Sequence, residues 1–515
     1  MSWDRGLFPP MRHEWHYGSR VVECFTDRPR NLYDLLAEAV TRDPDGEALV
    51  VGDQRLSWTA LSQQVDRTAR ALSAQGLARG DRAVMVMGNH PRFIVTLFAL
   101  FRLGVIAVPV SIRSSVPEVA YVIANTTARL VVHDADLAHL LPQGATAMAY
   151  EALQGDGPLP ADLPGEEEVA LILHTSGTTG KPKGAMLTHM SLIHSAMFYE
   201  ATFGLKPGDR AVIAVPFNHV TGIAGLISVS FRAGATLICM EGFKAKAFLD
   251  LAEAERMTYT IMVPAMYNLC LLQPDFATRD LKSWRMAAYG GAPMPEPTIR
   301  RLAAAIPGIA FANCYGATES IVAQLITPPD RAIDKRGTVG CPLPGTRAMI
   351  MDDEGREQPT GMPGEIWLSG PNVTLGYWNN PEATAAAFPS GFWRSGDIGV
   401  ADEEGFVSVL DRAKDMINRG GLKIYSAELE NVLTDHPAVV EAAAVPRACP
   451  VLGERVHAVL MLRTGATEAE ILAWCQERLS DYKVPETLEM SPDPLPRNAN
   501  GKIDKKVLRA RLDAV

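Results

Sequence analysis

TSGTTGKPKG, residues 175–184, follows a short apolar run, Val169-Ala-Leu-Ile-Leu173. A strand that opens into glycines, hydroxyls and two lysines has the makings of a phosphate grip. Glycine lets a backbone approach closely, hydroxyls donate, and Lys181 or Lys183 supplies a cation. A Walker-type loop is excluded, because that loop needs G-x-x-x-x-G-K followed by Ser or Thr. Here the glycines fall at 177, 180 and 184, and Gly501-Lys502 is followed by Ile503. On these ten residues alone, a different kind of nucleotide clasp and a plain surface turn both stand.

Working outward, the segments before the loop alternate between strand and helix. Glu47–Val51, Gly52-Asp53 and Gln54–Trp58 read as a hairpin, and Leu61, Val65, Ala69 and Leu72 recur at helical spacing. Ala83–Met87 reads as a strand, a helix follows from about Pro91, and Val105–Val110 reads as the next strand. After the loop, Ala211–Val215, Thr236–Met240 and Thr258–Val263 continue the pattern between helical stretches. The rhythm implies largely parallel sheets with helices on both faces. From Gly337 the chain changes to short strands with Gly and Pro turns, at Arg347–Met351, Gly364–Leu368 and Phe406–Leu410. Beyond Asp411 it becomes charged, and helices are expected near Ser426–Leu433 and Glu468–Leu479. The expected fold is α/β. A large N-terminal domain (1–411) has parallel and mixed sheets flanked by helices, plus a small β subdomain. A small mobile α/β C-terminal domain (412–515) follows, with a hinge near 412–415.

Composition narrows the function classes. A chain of 515 residues is longer than one core usually supports, and 47% hydrophobic content belongs to a globular protein. The net charge of −10 argues against nucleic acid or an anionic membrane as partner. Seven scattered cysteines without a C-x-x-C pair fit buried thiols in a reducing compartment. The stretch Phe93–Val110 is interrupted by Arg102, Gly104 and Pro109, and the N-terminus carries no apolar signal core. A cytoplasmic protein without a membrane span is expected.

Further motifs follow in order: YGATES (315–320), GEIWLSGPNVTLGYWNNPEAT (364–384), WRSGDIG (393–399), DRAKDMINRGGLKIYSAELE (411–430) and PRNANGKIDKK (496–506). With the opening loop, they make the chain resemble, along nearly its whole length, the adenylate-forming superfamily. That family comprises acyl- and aryl-CoA ligases, luciferases and peptide-synthetase adenylation domains. The resemblance implies activation of a carboxylate by ATP to an acyl-AMP with release of pyrophosphate. The acyl group then passes to the thiol of coenzyme A. Carboxylate attack on the α-phosphate joins two anions, so the site must neutralise charge and hold the attack in line.

By that resemblance, Thr175, Ser176, Gly177, Thr178, Thr179 and Lys183 grip the β- and γ-phosphates. Glu319 is the magnesium ligand, a hard oxygen donor beside Thr318, whose hydroxyl reaches the α-phosphate. Taken alone, Glu319 reads equally as a helix-start carboxylate. Tyr315, next to Gly316, stacks on adenine against Gly291-Ala292-Pro293, with Asn313 near the exocyclic amine. Asp397 accepts from the ribose hydroxyls, assisted by Arg412, although a turn carboxylate after Gly396 is the plainer reading of Asp397. Lys502 in Asn-Gly-Lys swings in to bridge the carboxylate and the α-phosphate. By itself it reads as one more solvated lysine among Lys505, Lys506 and Arg509. Lys414 marks the hinge. Gly420, Gly421 and Lys423 line a channel for the pantetheine arm, though two adjacent glycines also make a simple β-turn.

The family pattern places the acyl pocket around Phe217, His219, Thr221, Gly225, Val263, Gly290, Gly316 and Ser320. His219 also reads as a satisfied core histidine. No acidic residue occurs from Ala211 to Met240 to meet an α-ammonium, so a non-amino acid is expected, of medium chain or with a ring. Other acceptors stay open: a carrier-protein pantetheine, an enzyme limited to adenylation, or a luciferase-like oxygenase. Monomer and homodimer also stay open.

Overall fold

The computed structural model describes residues 3–175, 182–292, 294–321, 324–463, 465–497 and 503–513. The chain divides into two compact units. The first comprises Met1–Met349, Trp367–Ser395 and Asp402–Val407, and the second Ile350–Ile366, Gly396–Ala401 and Ser408–Val515.

Two large sheets organise the first unit. A six-stranded sheet runs in the order Lys183–Thr188, Val169–Thr175, Ile106–Pro109, Arg82–Val86, Leu130–His133 and Ala147–Ala149. Its strands are parallel except for Lys183–Thr188, which returns antiparallel to Val169–Thr175. A nine-stranded sheet holds a parallel centre, Ala310–Tyr315, Met286–Gly290, Tyr259–Met262, Arg210–Ile213, Thr236–Cys239 and Glu47–Val51. Antiparallel strands close both edges, with Gln54–Ser57 pairing Glu47–Val51 as a hairpin.

Local sequence explains these elements. The helix Trp58–Ala74 starts at Ser57, whose hydroxyl accepts from the Ala60 N–H at 3.2 Å. It buries Leu61, Val65, Ala69 and Leu72, the four positions of the 3.6-residue repeat. Removing each branched aliphatic from water stabilises the fold by ~1.5–3 kcal/mol. The helix Pro91–Leu103 has proline in its first turn and ends at Gly104, where φ is +68°. Eleven of its residues are buried, so the longest apolar stretch in the chain is a core helix. Among the described residues no helix is long and apolar enough to cross a membrane. All seven cysteines are free and buried.

Ahead of this core lies a two-stranded antiparallel sheet, Met11–His16 with Arg20–Phe25, turning through Tyr17 (φ +54°) and Gly18 (φ +68°). A four-stranded sheet has the order Arg347–Met351, Gly364–Ser369, Trp393–Ala401 and Val407–Arg412.

In the second unit, a five-stranded sheet carries the small core. The long hairpin Val439–Cys449 with Gly453–Leu462 lies at its centre. Ile417–Arg419 and Leu422–Ile424 extend it on one side, and Thr487–Ser491 pairs parallel on the other. The helices Ser426–Thr434 and Glu468–Gln476 contribute Leu429, Leu433, Ile471 and Cys475 to that core.

Candidate functional site

In a parallel sheet, ligand-binding loops leave the carboxyl ends of the strands. Thr175 ends its strand, Gly290 and Tyr315 end two neighbouring strands of the other sheet, and Glu319 follows Tyr315 by a short turn.

The strands Val169–Thr175 and Lys183–Thr188 pair so that Thr175 faces Lys183. Ser176, Gly177, Thr178 and Thr179 lie outside the described residues. Glu319, 8% exposed, sits in the turn Thr318–Ser320. Its Oε1 accepts from the Thr175 hydroxyl at 3.3 Å and from the Tyr377 hydroxyl at 3.0 Å. Among the described residues no protein donor reaches Oε2. The Glu319 carbonyl accepts the Thr374 N–H at 2.9 Å, and the Ser320 hydroxyl accepts the Ala317 N–H at 2.9 Å. Backbone and side chain are thus both fixed, and the second carboxylate oxygen of this buried residue is left for a hard cation. The donor set fits magnesium, which prefers oxygen.

Tyr377 is a residue that motif reasoning passed over. The Trp378 N–H donates to the Gly184 carbonyl at 2.7 Å, and the Met186 N–H to the Gly376 carbonyl at 2.9 Å. These bonds lay the Gly-Tyr-Trp segment along Lys183–Thr188 and bring Tyr377 opposite Ala185. The Lys183 ammonium then lies 5.1 Å from the centroid of the Tyr377 ring, a cation–π distance. Burial, with the Glu319 charge beside it, pushes the Tyr377 phenol well above its ordinary value, so it stays a donor. The signal was present in the sequence as Gly376, whose φ is +137° and whose Cβ would meet Thr384 Cγ2 at 2.3 Å. Only glycine fits there.

Further along the sheet, Asn313 is buried and donates to the Thr338 carbonyl at 3.0 Å. Gly290 pairs with Cys314, and a Cβ on it would stand 2.5 Å from the Cys314 carbonyl oxygen. Gly291 turns with φ +77°, and its Cβ position faces Val263 at 3.8 Å. Ala292 is exposed, Gly316 is exposed, and Pro293 lies outside the described residues. Gly290, Gly291, Val263 and Tyr315 are thereby gathered at the carboxyl end of neighbouring parallel strands.

The segment Val215–Gly225 is tightly built. Phe217 is fully buried, edge-on to Phe93 with centroids 5.7 Å apart, and its N–H donates to Asn89 Oδ1 at 2.8 Å. It packs in the core. His219 is exposed and caps a short helix, its Nδ1 accepting the Thr221 N–H at 3.3 Å. The buried-histidine alternative therefore fails on exposure. Gly225 lies in a π-helical stretch, Ile223–Ser228, where a Cβ would come within 2.9 Å of Ile261 Cδ1. Such stretches are frequent at functional sites.

In the second unit, Asp397 is buried and pairs with Arg412, Oδ1 to Nε, at 2.7 Å. The Ala413 N–H donates to the Gly396 carbonyl at 2.9 Å, holding the two residues in register. Asp411 next door accepts the Ser426 N–H at 2.5 Å, and burial raises its carboxyl. Lys414 is exposed at its surface, yet desolvation lowers its ammonium, with Arg412, Lys506 and Arg509 adding repulsion. Gly420 (φ +61°) and Gly421 (φ +92°) form the turn of the hairpin Ile417–Arg419 with Leu422–Ile424. Their reading as a turn is therefore correct, whatever ligand they also admit. Lys423 pairs with the exposed Asp353 at 3.2 Å beside a cavity of about 300 Å³ lined by Asp352, Glu354, Glu365 and Tyr425. Lys502 lies outside the described residues.

Comparison with known proteins agrees with this geometry. A family model described as AMP-binding enzyme matches residues 36–378, and one described as AMP-binding enzyme C-terminal domain matches 428–502. A feruloyl-CoA synthase of Amycolatopsis sp is 36% identical over 476 residues, covering 91% of this chain and 96% of that protein. A long-chain fatty acid–CoA ligase of Mycobacterium tuberculosis is 32% identical over 503 residues, covering 94% and 99%. Among solved structures, the o-succinylbenzoate coenzyme A synthetase of Bacillus subtilis, in complex with ATP and magnesium ion, superposes with a TM-score of 0.85. Its sequence identity is 29%, and the match covers 95% of this chain and 100% of that one.

Proposed function

Since this chain belongs to the AMP-binding enzyme family, we propose the residue roles by which it activates a carboxylic acid with ATP and passes the acyl group to coenzyme A. It is an AMP-forming acid–thiol ligase. Its acid belongs with the aromatic and fatty acids on which the named relatives act. The absence of any acidic residue between Ala211 and Met240 supports a substrate without an α-ammonium.

The observation that carries the assignment is the Glu319 carboxylate, held at Oε1 by two hydroxyls, with no donor to Oε2 among the described residues. Glu319 holds magnesium, which when bound offsets the charge of the phosphate oxygens. Thr175, Lys183 and the hydroxyls of residues 176–179 grip the leaving pyrophosphate, and Thr318 meets the α-phosphate. Tyr315, Asn313 and the Gly290–Pro293 turn take the adenine. The lack of a Cβ at Gly290 supports close backbone approach. Asp397 accepts from the ribose hydroxyls, and its bond to Arg412 supports this by holding the carboxylate in place. The acyl group lies against His219, Thr221, Gly225, Val263 and Ser320.

Two steps follow from these roles. A carboxylate oxygen attacks the α-phosphorus in line and pyrophosphate leaves, while the Lys502 ammonium bridges the two converging anions. Residues 412–515 then turn about Lys414, withdrawing Lys502 and presenting Gly420, Gly421 and Lys423 to the pantetheine arm. The thiolate attacks the acyl carbonyl, AMP departs, and closure keeps water from the mixed anhydride. The test is a panel of aryl and fatty acids scored for AMP, pyrophosphate and thioester, with and without coenzyme A. Acid-dependent pyrophosphate without coenzyme A, and thioester only with it, is the expected pattern. Thioester absent from every acid would overturn the acceptor.

A further inference from the structure

The hairpin Met11–Phe25 precedes the family-matched span, yet it reaches the back of the site. Arg20 Nη1 donates to the Thr374 carbonyl at 3.1 Å and approaches the Val373 carbonyl at 3.5 Å. The Val373 carbonyl and the Thr374 N–H belong to one peptide group, and that N–H donates to the Glu319 carbonyl at 2.9 Å. A cation on the carbonyl end of a peptide strengthens donation from its N–H end. Three residues further on, Tyr377 makes its bond to Glu319 Oε1. Among the described residues Arg20 has no carboxylate partner. Its half-buried charge is satisfied by carbonyls and by the Tyr17 ring, whose centroid lies 5.8 Å from the guanidinium carbon. The Tyr17 hydroxyl in turn bonds the Thr188 hydroxyl at 2.8 Å, at the end of the strand that starts with Lys183. One hairpin turn therefore holds both segments that converge on Glu319.

We propose that Arg20 is a positioning residue for adenylation: through the 373–374 peptide it fixes the backbone that aims the Glu319 carboxylate and the Tyr377 hydroxyl. The inference rests on the magnesium-ligand reading of Glu319 given above. Both contacts come from Nη1, whose direction the planar guanidinium fixes; a lysine ammonium has no such plane.

The test uses hydrogen exchange of the ligand-free protein and steady-state kinetics on Arg20→Met and Arg20→Lys. Backbone amides of residues 373–378 should exchange roughly tenfold faster in Arg20→Met, the equivalent of losing one hydrogen bond to a charged group, with Arg20→Lys between it and the wild type. The magnesium concentration for half-maximal ATP–pyrophosphate exchange should rise by a similar factor, while thioester formation from supplied acyl-AMP stays unchanged. Unchanged exchange at 373–378, or exchange accelerated equally throughout the molecule, would overturn the proposal. So would a parallel fall of both half-reactions in Arg20→Lys, which keeps the charge and should fold. Glu319→Gln in the same kinetic assay separates the two claims. If it leaves the magnesium dependence unaltered, the reading of Glu319 fails, while hydrogen exchange still decides whether Arg20 orders residues 373–378.

Discussion

Replacing Tyr377 by phenylalanine removes one oxygen and keeps the ring. The ring's edge contact with Phe388, at 5.5 Å between centroids, and its place beside the Lys183 ammonium both survive. What is lost is the 3.0 Å bond to Glu319 Oε1, leaving the 3.3 Å bond from Thr175 as the side-chain hold on that oxygen. Hydrogen bonds to a charged, largely buried group contribute ~1.5–3 kcal/mol. If that hold matters most when the α-phosphate is being attacked, the loss appears as a ~10- to 100-fold fall in kcat/KM for adenylation. Acid-dependent ATP–pyrophosphate exchange measures it, and thioester formation from supplied acyl-AMP is the internal control, expected within a factor of about two because the chemistry has moved off the phosphate. Because the Tyr377 phenol is held above its ordinary value, the wild-type rate should show no loss from its ionisation up to about pH 10. Full adenylation activity in Tyr377→Phe, or equal loss in both half-reactions, would refute the role given to the Glu319 cluster.

Three other outcomes follow from the same structure. Burial holds the fully enclosed imidazoles of His189 and His194 at about 3, below the usual 6.5, each accepting a backbone N–H, from Leu32 at 3.1 Å and from Phe25 at 3.3 Å. The unfolded chain therefore binds protons that the folded one refuses, so stability is full above pH 6.5 and falls as the pH drops towards 3. At pH 5 the pair should lower it by ~4 kcal/mol, read from urea melts at pH 5 and 7. Gly290→Ala forces a Cβ against the Cys314 carbonyl, and a loss of ~1–3 kcal/mol in stability with weakened ATP binding is expected by melting and by titration. Lys502→Ala should abolish most acid-dependent pyrophosphate exchange and spare thioester formation from supplied acyl-AMP. Equal loss of both would remove the bridging role.

How much of this was legible depends on the kind of residue. The parallel cores were, because buried strands such as Val169–Leu173 and helices such as Trp58–Ala74 write their periods directly into apolar spacing. Glu319, Asp397 and Arg412 were legible as motif members, though their pairing waited on the fold. Lys183–Thr188 was less so. It is an edge strand whose Lys, Gly and Thr read as loop, and its register against Val169–Thr175 and Gly376–Trp378 is a matter of long-range backbone bonds. For the same reason Tyr377 escaped notice. Its aromatic ring looks like core until Gly376 and Ala185 bring the hydroxyl to Glu319. Phe217 was legible only as a motif member; its burial and its edge contact with Phe93 waited on the fold.

The central claim is that the acid's own oxygen displaces pyrophosphate from the α-phosphorus. Turnover of an acid labelled with heavy oxygen in both carboxylate positions tests it most directly. One labelled oxygen should appear in AMP and the other should remain in the thioester carbonyl. Label in inorganic phosphate, with ADP as the nucleotide product, would contradict the account.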